Sequence, residues 1–243
     1  MKRLSVGKRI LLGIITLTLV SCLAGFSYFS DYYHASAQAM DMIQETGSAV
    51  QNKICLAFIP EEYNTGIILY PGAKVESEAY APLLKELADR GIFAAVVYMP
   101  LHFALLNSNV ALKVMEEHPE IDSWYIAGHS LGGVCAGMLT GKHPERFKGI
   151  ILLASYVTSD LSQTELKALS LIGSNDGVLN VKQYQKNRKN FPDQTTEVMI
   201  TGGNHAQFGS YGFQKGDKEA DITPKEQLQL SADYILKLIV EET

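Results

Sequence analysis

The chain has 243 residues, 47% of them hydrophobic and 19% charged, with a formal net charge of −5. That suits one α/β domain with a sizeable core; it is too short for two comfortable domains and too apolar for a disordered chain. Lys2, Arg3, Lys8 and Arg9 crowd the N-terminus; without them 17 cations face 26 acids, and an acidic body with no basic stripe speaks against a nucleic-acid partner.

No charge occurs between Ile10 and Ser30, and about 20 apolar or weakly polar residues suffice to cross a bilayer as a helix. Cations precede this run, and Tyr28, Phe29, Tyr32 and Tyr33 follow it like an interfacial aromatic belt. Residues 1–30 are therefore expected to form an uncleaved membrane anchor, with the cations in the cytoplasm and the rest of the chain outside it. Two alternatives stay open. One is a cleaved secretory signal. The other is a lipoprotein, because Leu19-Val20-Ser21-Cys22 resembles a lipobox in which Cys22 is lipidated. The apolar run continues past Cys22, which favours the anchor. Residues 31–50 read as a spacer or short amphipathic helix with a solvated His34, and residues 51–243 as the main domain.

In that domain, apolar runs alternate with helical patterns, which predicts an α/β fold with a mostly parallel sheet and helices on both faces. Strands are expected at Lys53–Ile59, Gly66–Tyr70, Ile92–Met99, Trp124–Ala127, Gly149–Ala154, Leu169–Ile172 and Thr196–Ile200. Helices are expected at Glu78–Arg90, stopped by Gly91, at Asn109–His118, barred by Pro119, and at Pro224–Val240, with Thr223 as its N-cap. The close strand spacing after Ala154 leaves no room for a large lid. The three cysteines make no disulfide framework: Cys55 and Cys135 read as separate buried thiols, with a bridge between them as the alternative. No Cys/His spacing suggests a metal site, and no cofactor is implied.

The chemistry concentrates at Gly128-His129-Ser130-Leu131-Gly132. A G-x-S-x-G turn between an apolar strand and a small-residue helix presents its serine on a strained bend, where glycines on either side permit close packing. The helix start behind Ser130 offers unpaired N–H groups to a developing oxyanion. A serine needs a base, and the base an orienting acid. Two strand-to-turn segments supply them in the order serine, acid, histidine: GSNDG presents Asp176, and GGNH presents His205. Asp160 is a rival acid without that context, and His102 precedes the serine and reads as cleft-lining or packing. The backbone N–H groups of Leu131 and of Ala73, in the loop after the Gly66–Tyr70 strand, are the expected oxyanion donors. Lys74, His129 and Gln207 are candidate substrate contacts; Lys74 and Glu76 also read as a solvated loop pair, and His129 is expected to point away from the nucleophile.

LYPGAKVESEAYAPL, VVYMP, AGHSLGG, LLASY, GSNDG and GGNHAQFGSYG together resemble the α/β-hydrolase superfamily, and within it the small, lidless branch related to dienelactone hydrolases, alpha/beta hydrolase fold-5. The resemblance runs from about Lys53 to the C-terminus. It implies Ser130 as nucleophile, His205 as general base and Asp176 as the acid orienting it, acting on a small ester or related acyl substrate. The chain departs from that branch in having Pro71-Gly72 where many relatives have His-Gly, and serine where dienelactone hydrolases use cysteine. A thioesterase, peptidase or acyltransferase shares these motifs, and a membrane-tethered binding protein without catalysis is the reading from another class.

Overall fold

The computed structural model describes residues 5–240; Lys2 and Arg3, two of the cations flanking the expected anchor, lie outside them, as do residues 241–243. The chain divides into two compact units, residues 1–32 and 33–243. The first holds α1 (Val6–Ser30), whose mean hydropathy reaches 2.2. At 1.5 Å per residue its 25 residues extend roughly 37 Å, more than the ~30 Å hydrocarbon thickness of a bilayer. The Thr16 and Thr18 hydroxyls donate back to the carbonyls of Leu12 and Ile14, at 2.9 and 3.0 Å, so this apolar helix satisfies those polar groups itself.

The second unit contains α2 (Ala37–Glu45), β1 (Ala49–Gln51), β2 (Cys55–Phe58), β3 (Thr65–Tyr70), α3 (Ala81–Ala88), β4 (Phe93–Val97), α4 (Val110–Glu117), β5 (Ser123–His129), α5 (Leu131–Thr140), β6 (Gly149–Leu153), β7 (Lys167–Gly173), α6 (Val181–Asn187), β8 (Gln194–Ile200) and α7 (Pro224–Val240). The strands form one sheet in the order β1-β2-β4-β3-β5-β6-β7-β8. β2 is antiparallel to β1 and β4, and the pairs from β4 through β8 are parallel.

Alternation along each strand sorts its side chains into two core layers. Ile67 and Leu69 of β3 face the layer of α2, α3 and α7, with Ala39, Leu83, Leu84 and Ile235. Ile68 and Tyr70 face the layer of α4, α5 and α6, with Val114, Cys135 and Leu139. Cys55 and Cys135 share the second layer as free thiols, and burial pushes each up to about 11. At the entry to α7, Thr223 and Glu226 bond reciprocally: the Glu226 carboxylate takes the Thr223 N–H at 2.7 Å, and the Thr223 hydroxyl takes the Glu226 N–H at 3.2 Å.

Several expectations change. The segment 31–50, read as a spacer or short amphipathic helix, carries the short helix α2 and from Tyr33 on belongs to the second unit: Ser36 caps α2 by accepting the Ala39 N–H, Ala39 is fully buried, and β1 adds an edge strand. The helix expected from Glu78 begins as a 3-10 turn, Ser77–Tyr80, and becomes α-helical only at Ala81; Pro82 has no N–H to give the Glu78 carbonyl. β5 continues two residues beyond Ala127, because Gly128 and His129 pair with Leu152 and Leu153, and the turn is thereby compressed into Ser130. α6 had no sequence expectation.

Candidate active site

Ser130 joins β5 directly to α5, with φ 51° and ψ −122°, a conformation no ordinary residue adopts without support. The support is visible. Its N–H donates to the Leu153 carbonyl at 2.9 Å, and its own carbonyl takes the Ser155 hydroxyl at 2.6 Å and the Gly133 N–H at 3.1 Å. The flanking glycines are required by space: a Cβ on Gly128 would fall on the backbone of Gly133, and one on Gly132 on the carbonyl of Tyr70. The first turn of α5 therefore lies directly against the end of β3 and the loop that follows.

Asp176 follows β7. One carboxylate oxygen takes the N–H groups of Val178 and Leu179, each at 2.8 Å, and the other lies 2.9 Å from Nδ1 of His205. Burial alone would raise this carboxyl, but the hydrogen bond and charge of His205, with the two backbone donors, hold it below its ordinary value. Both side chains are nearly inaccessible, at 3% and 1%. At the other end of the imidazole, Nε2 of His205 is buried and has no hydrogen-bond partner among the described residues.

The two loops are locked together by residues that no sequence pattern singled out. The Asp217 carboxylate takes the Gly177 N–H at 2.9 Å on the acid's loop and the Ala206 N–H at 2.8 Å beside the histidine. Gln227, fully buried on α7, brackets Asn204 from both sides: its Oε1 takes the Asn204 N–H at 2.9 Å and its Nε2 donates to the Asn204 carbonyl at 2.8 Å. Asp217 sits in a loop rich in charges, and Gln227 looks like any polar residue of an amphipathic helix. Neither gave a signal.

His129, a candidate substrate contact in the sequence, is fully buried. Its Nδ1 lies 2.7 Å from the Tyr80 hydroxyl, and its ring centroid lies 4.7 Å from that of His205. Burial, then the charge of His205, push its pKa well below the usual value, against an opposing pull from the His205 backbone, so it is neutral. His129 thus brings the ring of His205 against the residue that precedes Ser130.

In the loop after β3, the Gly72 N–H is taken by the Tyr80 hydroxyl at 2.9 Å and the Lys74 N–H by the His102 carbonyl at 2.9 Å. Lys74 itself has φ 59°. Glu76 pairs with Nδ1 of His34 at 2.9 Å and takes the Ala35 N–H at 2.7 Å. His34, although 68% exposed, is therefore engaged rather than merely solvated. Gln207 lies two residues after His205; its Nε2 donates to the Ile222 carbonyl at 3.2 Å, whereas its Oε1 is buried with no partner among the described residues. Asp160, the rival acid, is exposed and engaged with its neighbour Ser162.

An eight-stranded, mostly parallel sheet with a strained serine between strand and helix, and an Asp–His pair on loops after later strands, defines an α/β-hydrolase. The chain belongs to the alpha/beta hydrolase family, whose model matches residues 66–229. No curated protein matches the chain by sequence. Among solved structures it is similar to Est1E from Butyrivibrio proteoclasticus bound to ferulic acid, with 12% identity and a TM-score of 0.60 over 79% of this chain and 99% of that one. It is also similar to the butyrate-bound thermophilic esterase Est2 of Thermogutta terrifontis, with 13% identity and a TM-score of 0.58 over 81% and 95% of the two chains. A CIB-like hydrolase from Thermoplasma acidophilum shares 15% identity at a TM-score of 0.57, over 78% of this chain and 99% of that one. At such identities the likeness is one of fold.

Proposed function

We propose that the protein is a serine esterase, held in a membrane by α1 with its catalytic domain outside the cytoplasm. The observation that carries the catalytic reading is the Asp176–His205 pair, whose imidazole leaves Nε2 buried and, among the described residues, unpaired beside the strained serine turn. A buried polar atom without a partner calls for an explanation, and a base that tightens onto its nucleophile only when substrate is bound supplies one.

In this reading, Ser130 Oγ attacks the ester carbonyl while Nε2 of His205 takes its proton. The carbonyl oxygen becomes an oxyanion, and His205 returns the proton to the departing alcohol as the C–O bond breaks. Water then attacks the acyl-serine by the same proton path and releases the acid. Asp176 keeps Nδ1 protonated and stabilises the imidazolium. For the oxyanion, Leu131 is the first helical residue, so its N–H is one that the helix leaves unpaired. In the opposite loop the N–H groups of Gly72 and Lys74 are already bonded, which leaves that of Ala73. The ester preference is supported by the esterase neighbour from Thermogutta terrifontis, and the anchor by the length and hydropathy of α1.

The test is a fluorophosphonate adduct mapped by mass spectrometry on the full chain in detergent. The adduct is expected on Ser130 and is expected to vanish in His205→Ala. A folded protein that forms no adduct overturns the mechanism.

A further inference from the structure

We propose that Leu101, Leu105, Leu106 and Phe213 form a docking surface through which the catalytic face rests on a bilayer of neutral or zwitterionic lipid. The inference rests on the anchored reading of α1 and deepens it: the site would take acyl substrates carried in that bilayer.

The four side chains are 53%, 52%, 56% and 61% exposed. A lone exposed leucine is unremarkable, but three within six residues form a patch. The backbone is arranged to present them. Leu101 and His102 both have positive φ, 53° and 57°, and the loop is held by the His102 N–H on the Met99 carbonyl at 3.0 Å and the Leu106 N–H on that of Phe103 at 3.1 Å. Phe213 follows Gly212, which has φ 81°.

Their location is the rim of the candidate site. The leucine loop follows β4, and its turn Ala104–Leu106 packs against α5, the helix that begins at Ser130. Phe213 lies on the loop after His205, two residues beyond Tyr211, whose ring centroid lies 6.3 Å from that of His129.

What argues for lipid as the occupant is the route of the chain. Only Asp31 and Tyr32 separate the end of α1 from Tyr33, and two residues give little slack, about 3.5 Å each. Tyr33 is itself stitched to both loops that carry the rim. Its N–H donates to the Lys74 carbonyl at 2.7 Å, and Lys74 in turn donates its N–H to His102 of the leucine loop at 2.9 Å. The Tyr33 hydroxyl takes the Lys215 N–H at 3.1 Å, two residues from Phe213, and its ring packs against Tyr211 at 5.5 Å. A soluble partner would not require the rim to be tied to the segment leaving the apolar helix. None of the four rim side chains is charged and the body of the chain is acidic, so apolar insertion rather than attraction to anionic headgroups would drive the contact.

Bromolipid quenching tests this on the full chain in phosphatidylcholine vesicles. The native Trp124 is buried at 5% exposure and provides a constant background. L105W and F213W place a reporter on each rim loop; E145W places one on an exposed residue just before β6, at the other end of the sheet. Brominating the acyl chains is expected to remove roughly half of the added emission of L105W and F213W and little of that of E145W, because a docked side chain enters the headgroup–acyl boundary. Absence of quenching at either rim position, or equal quenching at E145W, overturns the proposal. The readout needs no turnover, so it stands apart from the esterase reading. Intact mass shows separately whether α1 is retained, and its removal would overturn the anchored basis of the proposal.

Discussion

The hydroxyl of Tyr80 lies 2.7 Å from Nδ1 of His129 and takes the N–H of Gly72 at 2.9 Å, so one buried phenol joins the loop after β3 to the strand that delivers Ser130. Burial pushes this phenol well above its ordinary pKa, with the Gly72 donor pulling the other way, and it remains a protonated donor. The proton acceptor it reaches is the neutral His129, which fixes the tautomer of that ring. Tyr80 therefore sets the distance between the proposed oxyanion donors and the nucleophile without touching either.

Removing only that oxygen is the direct test. In Tyr80→Phe two buried polar groups lose their partner, and stability is expected to fall by about 1–3 kcal/mol. Because the Ala73 donor is then less well aimed, kcat for a short soluble ester should fall while KM changes little. Urea unfolding and initial-rate kinetics check both; an unchanged urea midpoint would remove Tyr80 from this role.

Asp176 makes stability depend on acid in a defined direction. Its folded pKa is depressed, so its stabilising contribution is complete above the unfolded carboxyl pKa of about 3.9 and is lost as pH falls through the lower folded value. Asp176→Asn has no such carboxyl. The gap in urea midpoint between the wild type and this variant is expected to be constant at neutral pH and to close in strong acid. Turnover of the variant at neutral pH should be lower by on the order of a thousandfold or more, since the imidazole loses its orienting acceptor. A gap that stays open through strong acid would place the stabilisation elsewhere.

Asp217 gives a third expectation. Its carboxylate holds the Gly177 and Ala206 N–H groups on opposite sides of the Asp176–His205 pair. Asp217→Ala should cost about 1–3 kcal/mol for the donors left unpaired, and it should weaken fluorophosphonate labelling of Ser130 although the residue belongs to no triad. Labelling at the wild-type rate in a destabilised protein would limit Asp217 to a structural role.

Much of this architecture could be read from local pattern. The apolar runs at Ile67–Tyr70, Phe93–Val97 and Gly149–Leu153 are continuous because both faces of a parallel sheet are covered, and such runs are legible without an alignment. The short strand Ala49–Gln51 was not, because two of its three residues are exposed and nothing in its composition marks it as paired. Helix α6 escaped for a similar reason: in Val181–Asn187 only Tyr184 is buried, so no apolar stripe betrays it. The surroundings of His129 were not legible, because they depend on what packs over the ring, here Tyr80, His205 and Phe208, which lie far apart in sequence.

The sequence by itself determined the class of fold, the long apolar helix, and the order of serine, aspartate and histidine on successive strand ends, since each is set by residues that are neighbours along the chain. Only the tertiary structure decided that Asp176 and His205 meet at 2.9 Å, that Asp217 and Gln227 hold their loops, and that Tyr33 bonds both to Lys74 after β3 and to Lys215 on the loop after His205. Those contacts join residues from 11 to 182 positions apart. They depend on how the sheet brings its strand ends to one edge, a property of packing that no local window of sequence contains.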